Sequence, residues 1–404
     1  MMMRKGLLML VAFCWCAAVS MTGVALGEQA PSTPAEGQPG AVVAASQAQA
    51  VAASPAAAAP AAAKKEGPEV KIKVRLQPRF SVVQSDAAQP YFGERDDQAE
   101  GDGFALRRMR LYVIGQVDPK TRYVVHLKSD SGEEALNMRV GEVQLDLGKG
   151  RKLRAGQFVV PFGYEIVACD GELCVVDRHT MSLFLPPDAD IGVTYSQTLP
   201  GKSKPTYHIG VFNGNGRFTA NVGGKYLLLA RAEVKPAPGL SVGVSWCDNQ
   251  NTSWSPYFGR FIKKNGDPYG LTGAYTAHQV DERSVEVDAQ YQQGPLTVWA
   301  EWVGTRISPA GAPSIRAEGF YVDAAHFLRY RGRRDRLEAV VGYQAMNPNT
   351  SVRDIYDMRT YTLGLNWHFR PKYEQMLRLN YMWVDEARND VKNNKLIVQY
   401  QVWL

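Results

Sequence analysis

Residues 71–80 read KIKVRLQPRF. Lys71, Lys73, Arg75, Gln77 and Arg79 share one parity, and Ile72, Val74, Leu76 and Phe80 share the other. Successive side chains of a strand point to opposite faces. A strand here has one apolar face and one face that is almost wholly cationic.

The same period returns along the rest of the chain. SVEVDAQYQ sets Val285, Val287, Ala289 and Tyr291 against Glu286, Asp288 and Gln290. TYTLGLNWHF, LRLNYMW and the final KLIVQYQVWL alternate in the same way. This pattern predicts strands, near 71–83, 104–116, 121–130, 139–147, 151–158, 190–198, 206–213, 225–235, 239–247, 284–293, 296–305, 319–330, 336–345, 359–370, 375–384 and 395–404. YGLTGAYTAH (269–278) is placed in a long loop, because one more strand would break the even count.

A soluble sandwich would alternate too. Three features favour a membrane barrel instead. One parity is large and apolar while the other is small, polar or charged; aromatics gather at strand ends; and connection lengths alternate. Most even-numbered strands lead into short turns such as VDPK, GKG, KPAPG and GP, with further turns near Gly332 and Pro371. The expectation is an all-β, 16-stranded antiparallel transmembrane barrel. Both termini face the periplasm, the long loops face outside, and membrane lipid surrounds the apolar face.

The 404 residues carry 46 Lys and Arg against 40 Asp and Glu, a net charge of +6. A balance this mild does not point to nucleic acid. Arg4 and Lys5 precede an apolar run of signal-peptide length that ends in small residues. Residues 1–27 read as a signal peptide, 28–70 as a disordered Ala/Pro-rich periplasmic leader, and 71–404 as the barrel. The expected location is the outer membrane of a Gram-negative bacterium. Cys169 and Cys174 stand five apart in ACDGELC; they could close a small loop as a disulfide or remain two unpaired thiols. No metal site is read from them.

Charge on the lipid face costs about 2–4 kcal/mol at mid-bilayer, so the basic parity must face the lumen. The same rule turns Arg108, Arg110, His126, Lys128, Lys152 and Arg154 inward, giving one basic wall. Arg107 breaks the alternation, which suggests a bulge or an interfacial place. Glu142, Asp146, Glu233, Glu286, Asp288, Glu301 and Glu338 make other walls acidic. Basic ladders favour anions, although a basic wall set against acids also suits a non-selective pore. The loop 159–189, VPFGYEIVACDGELCVVDRHTMSLFLPPDAD with its flanks, is apolar enough to avoid water. It is expected to be a third loop folded inward.

LRAGQFVVPFGYE with DRHTM and PPDADIGV, FALRRMRLYVIG, YHIGVFNGNG, EGFYVDAA and YTLGLNWHF together resemble the phosphate-selective porin O and P family over roughly 71–404. The resemblance implies a homotrimeric channel, constricted by its third loop, that passes phosphate-like anions. It also implies that Arg75, Arg107 and Arg108 line the constriction. Lys73, Arg110, Lys128 and Arg154 join them as candidate pore residues by parity. The function expected is passive diffusion of small anions without a cofactor. Two other readings stay open: a general porin, and a barrel that sheathes multihaem cytochromes in an electron conduit. The chain has no Cys-x-x-Cys-His of its own. An enzyme is not expected, because the six histidines are scattered singly.

Overall fold

The computed structural model describes residues 69–84, 102–131, 135–250, 258–330, 333–370, 373–388 and 392–404. The expected signal peptide and most of the expected leader lie outside these residues, as do the turns at Gly332 and Pro371.

All sixteen expected strands are present. They are β1 (Glu69–Val83), β2 (Gly103–Gln116), β3 (Thr121–Asp130), β4 (Asn137–Gly148), β5 (Arg151–Val159), β6 (Ala189–Thr198), β7 (Thr206–Phe212) and β8 (Leu227–Ala237). The second half comprises β9 (Leu240–Asn249), β10 (Val280–Gln293), β11 (Leu296–Pro309), β12 (Ile315–Tyr330), β13 (Arg333–Asn347), β14 (Met358–Arg370), β15 (Gln375–Glu386) and β16 (Lys395–Trp403). Each pairs antiparallel with its sequence neighbours, and β1 pairs with β16, so the sheet is a closed barrel. At the seam, the Val74 and Leu404 N–H groups donate to each other's carbonyls at 3.0 and 2.8 Å. Closure leaves no edge whose backbone groups would meet lipid unpaired.

The parity reading holds along the strands. Leu363, Leu365, Trp367 and Phe369 of β14 are exposed, while Thr362, Asn366 and His368 are buried. Polar inside and apolar outside inverts a soluble protein and fits a lipid-facing wall. The turns are equally legible. In GKG, Lys149 and Gly150 have φ of 53° and 73°, the paired positive values of a type I′ hairpin. At the β2–β3 turn the Asp118 carboxylate accepts from the Lys120 and Thr121 N–H groups at 2.7 and 2.8 Å.

The structure extends several strands past their expected ends. β10 begins at Val280 rather than 284, β11 ends at Pro309 and β12 begins at Ile315. Asp281, Glu282 and Arg283 obscured the start of β10 because they form a charged run. The ladder continues through them, with Arg283 opposite Arg306. Backbone pairing does not have to stop where the apolar belt does.

Among the described residues, three short helices lie between strands: α1 (Thr180–Phe184), α2 (Phe258–Lys264) and α3 (Thr272–Thr276). The segment 269–278 is therefore a loop containing α3, as the parity argument required. No described helix is long and apolar enough to cross a membrane. Phe261 of α2 meets Phe184 of α1 edge-on at 5.7 Å, so the long β9–β10 connection packs on the β5–β6 connection.

Leu363 lies near the middle of β14 on the lipid face. Leu363→Arg is expected to lower folding stability by about 2–4 kcal/mol, read as a shift in the urea midpoint in lipid vesicles.

Candidate functional site

The cationic parity of β1 delivers Arg75, Gln77 and Arg79 to one buried row. On β2, Gln77 stands opposite Arg108 but Pro78 stands opposite Leu106, so Arg107 is the extra residue of a bulge. Pro78 has no N–H to give the ladder, and proline inside a sheet is confined to edges or bulges. The bulge brings Arg107 and Arg108 both to buried positions. Arg110 of β2 lies opposite Arg75, and Lys128 of β3 lies opposite Arg110.

Two carboxylates of the β5–β6 connection (residues 160–188) meet this wall. Asp170 accepts from Arg75 Nη2, lies 3.3 Å from Arg108 Nε and accepts from Arg110 Nη2 at 3.1 Å. Asp177 Oδ1 accepts from Arg79 Nη2 at 2.5 Å and Arg108 Nη2 at 2.9 Å, with Arg107 Nε at 3.9 Å. Arg108 therefore bridges two tiers. A third carboxylate, Asp130 of β3, ties Arg110 and Lys128 at 2.5 Å each. Burial would push the Asp170 carboxyl up, but Arg75, Arg110 and Arg108 hold it well below the usual range. Asp177 is lowered in the same way against its burial, by Arg79, Arg108 and Arg107. Both are ionised at any physiological pH.

The same connection is fastened elsewhere. Arg378 of β15 donates to the Val175 and Gly171 carbonyls at 3.2 and 3.0 Å, and Asn366 of β14 to the Cys174 carbonyl at 2.8 Å. Gln344 of β13 accepts from the Thr180 N–H at 2.8 Å, and Glu301 of β11 from the Glu165 N–H at 2.9 Å. β11 stands far around the ring from β1 and β2, so the connection is tied to widely separated strands. Gly171 sits where a Cβ would come within 2.3 Å of Arg75 Nη1. A side chain there would require the Arg75 guanidinium to shift.

His179, beside α1, anchors the segment to β12. Its ring stacks on Tyr321 at 4.0 Å, with Nδ1 2.9 Å from Glu165 and Nε2 3.3 Å from Asp323. Burial opposes its charge, but Asp323 and Glu165 win and raise it to about 10. Across the barrel from the basic wall, Arg231 of β8 holds Glu286 and Asp288 at 3.0 and 2.7 Å. With Glu301 nearby on β11, carboxylates outnumber cations there.

Of the candidates named from sequence, Arg75, Arg107, Arg108, Arg110 and Lys128 gather in one cluster. Lys73 does not join it: it is half-buried, 6.0 Å from the Trp403 ring centroid. Arg154 sits apart, paired with Glu142 at 2.5 Å and stacked over Phe158 at 4.1 Å. The disulfide option is corrected. Cys169 and Cys174 are both free thiols; Cys169 Sγ accepts from Arg75 at 2.8 Å while Cys174 Sγ lies 3.8 Å from Asp323. The thiols face different walls. Sequence reasoning passed over Arg79 as a site residue, although it shares the Arg75 parity, and over the pairing role of Asp170 and Asp177.

A raised His179 stabilises the folded state below its unfolded value, about 6.5, and loses that contribution as pH climbs towards 10. The stability difference between wild type and His179→Gln is thus expected to be largest below pH 6.5 and to vanish above about 10. Urea titrations of both proteins across that range check it.

Curated protein sequences give no match to the chain. Solved structures do. An anion-selective porin from Comamonas acidovorans aligns with TM-score 0.55 at 13% identity, over 83% of this chain and 100% of that one. The outer membrane channel DcaP of Acinetobacter baumannii aligns with TM-score 0.56 at 11% identity, over 84% and 98%. OmpT of Vibrio cholerae in its trimer form aligns with TM-score 0.54 at 11% identity, over 84% and 100%. At these identities the likeness is one of fold. The profile of the family described as "Phosphate-selective porin O and P" matches residues 79–402. With that match across the sixteen-stranded barrel, the chain belongs to the phosphate-selective porin O and P family and is an outer-membrane porin.

Proposed function

We propose that this porin passes small anions by passive diffusion, with phosphate-like oxyanions as preferred solutes, and that it works as a homotrimer. One observation carries the anion reading. The wall of β1, β2 and β3 presents six buried cations, Arg75, Arg79, Arg107, Arg108, Arg110 and Lys128, to three carboxylates, Asp130, Asp170 and Asp177. A surplus of fixed positive charge in a narrow, low-dielectric passage attracts anions and repels cations. Guanidinium forks also match two oxygens of an oxyanion at once. The trimer reading rests on the likeness to OmpT.

The cytochrome-sheath reading gains no support among the described residues.

Under a tenfold salt gradient in a planar bilayer, the reversal potential is expected on the anion side, approaching the ~59 mV limit of a perfectly selective monovalent channel. Arg75→Ala and Arg108→Ala should each move it towards zero. A wild-type potential near zero would make this a general porin, and a cation-side potential would reverse the assignment.

A further inference from the structure

The arginines that should receive a solute anion are already holding anions, and those anions belong to the chain itself. Asp170 takes up donors from Arg75, Arg108 and Arg110; Asp177 takes up donors from Arg79 and Arg108. Each carboxylate thus presents its oxygens to two or three guanidinium groups, which is how an oxyanion would sit there. Donors remain in reserve, since Arg75 Nε and Arg110 Nε have no hydrogen-bond partner. An anion with more acceptor oxygens than a carboxylate could use them.

A polar cavity adjoins one of the two carboxylates. The cavity, of about 30 Å³, lies beside Asp177, lined also by Arg178, Thr180, Gln344, Thr360 and Lys395. That is room for about two waters. Asn393 and Glu386, at the β15–β16 connection, also line it.

We propose that Asp170 and Asp177 are built-in competing ligands, occupying two oxyanion seats on the basic wall, and that a solute anion advances by replacing them in turn. The inference rests on the anion reading above and deepens it. The solute class is a small anion with at least two acceptor oxygens, whether a phosphate or a carboxylate. Exchange of one anion for another keeps the arginines paired throughout, so no step leaves a buried guanidinium uncompensated, which would be costly. Chloride, with one centre and no fork to match, replaces the carboxylates less well. Asp170 and Asp177 then set how strongly a solute must bind to pass.

The test measures chloride current through the full-length porin in planar bilayers, with inorganic phosphate or acetate added as competitor. In Asp170→Asn, Asp177→Asn and the double variant, the half-inhibiting competitor concentration is expected to fall about tenfold or more, because an amide competes for arginine far less than a carboxylate. A fall for phosphate alone supports phosphate-type seats, and a fall for acetate as well extends them to carboxylates. Unchanged or higher concentrations in the variants, with an anion-selective wild type, would overturn this inference and leave the anion reading standing. A wild type without anion preference would overturn both. The native protein provides a readout should the Asn variants fail to assemble. Cys169 adjoins Asp170 and is buried, so saturating phosphate should speed its labelling by a thiol reagent several-fold. Labelling that phosphate leaves unchanged would contradict the exchange.

Discussion

The structure depends on the join between Val74 and Leu404, where the first and last strands exchange backbone hydrogen bonds. Without that join, β1 and β16 would be edges, and an edge in lipid leaves backbone groups unpaired at several kcal/mol apiece. With it, every strand has two unlike sides, lipid and lumen. The period-2 pattern then becomes a partition of chemistry. Leu, Val and Trp go outside, and Arg, Asp, Glu and Asn go inside. Arg75 is fully buried because it lies on the lumen side of a closed wall.

Closure creates an electrostatic problem as well. Several arginines on adjacent strands face one another across a narrow space. Segment 160–188 answers it by bringing Asp170 and Asp177 to the wall. Buried ion pairs add little net stability, because desolvation offsets much of the attraction, but removing one partner of a pair is severe. The segment is therefore held firmly while its carboxylates stay in place, yet a solute anion can substitute for either of them. His179, two residues on from Asp177, holds the segment to β12 by the opposite arrangement, one cation between Glu165 and Asp323. A segment fixed by ion pairs to two different walls is suited to narrowing a pore without sealing it permanently.

Much of this was legible in the sequence, for identifiable reasons. Strand parity is local, so KIKVRLQPRF and its counterparts revealed all sixteen strands and which side chains turn inward. Arg107 announced its bulge by breaking the alternation, and Pro78 supplies the reason. The early start of β10 was hidden by Asp281, Glu282 and Arg283, whose charge looked like a loop. The pairing of Arg75 with Asp170 spans 95 residues, and nothing in either local pattern names the other. The cysteines misled for the same reason: five residues of spacing permits a bridge, but each thiol is drawn to a different wall. Lys73 and Arg154 have the right parity, yet they lie at other heights or on other strands, which a period of two does not encode.

The most direct test of the locked segment is a double-mutant cycle on Arg79 and Asp177, whose side chains meet at 2.5 Å. Unfolding free energies of wild type, Arg79→Gln, Asp177→Asn and the double variant would be measured in lipid vesicles. A lock between wall and segment predicts a coupling of about 0.5–3 kcal/mol, the double variant being less damaged than the two single losses together. Losses that add to within about 0.5 kcal/mol would show that Asp177 does not hold the segment to the basic wall.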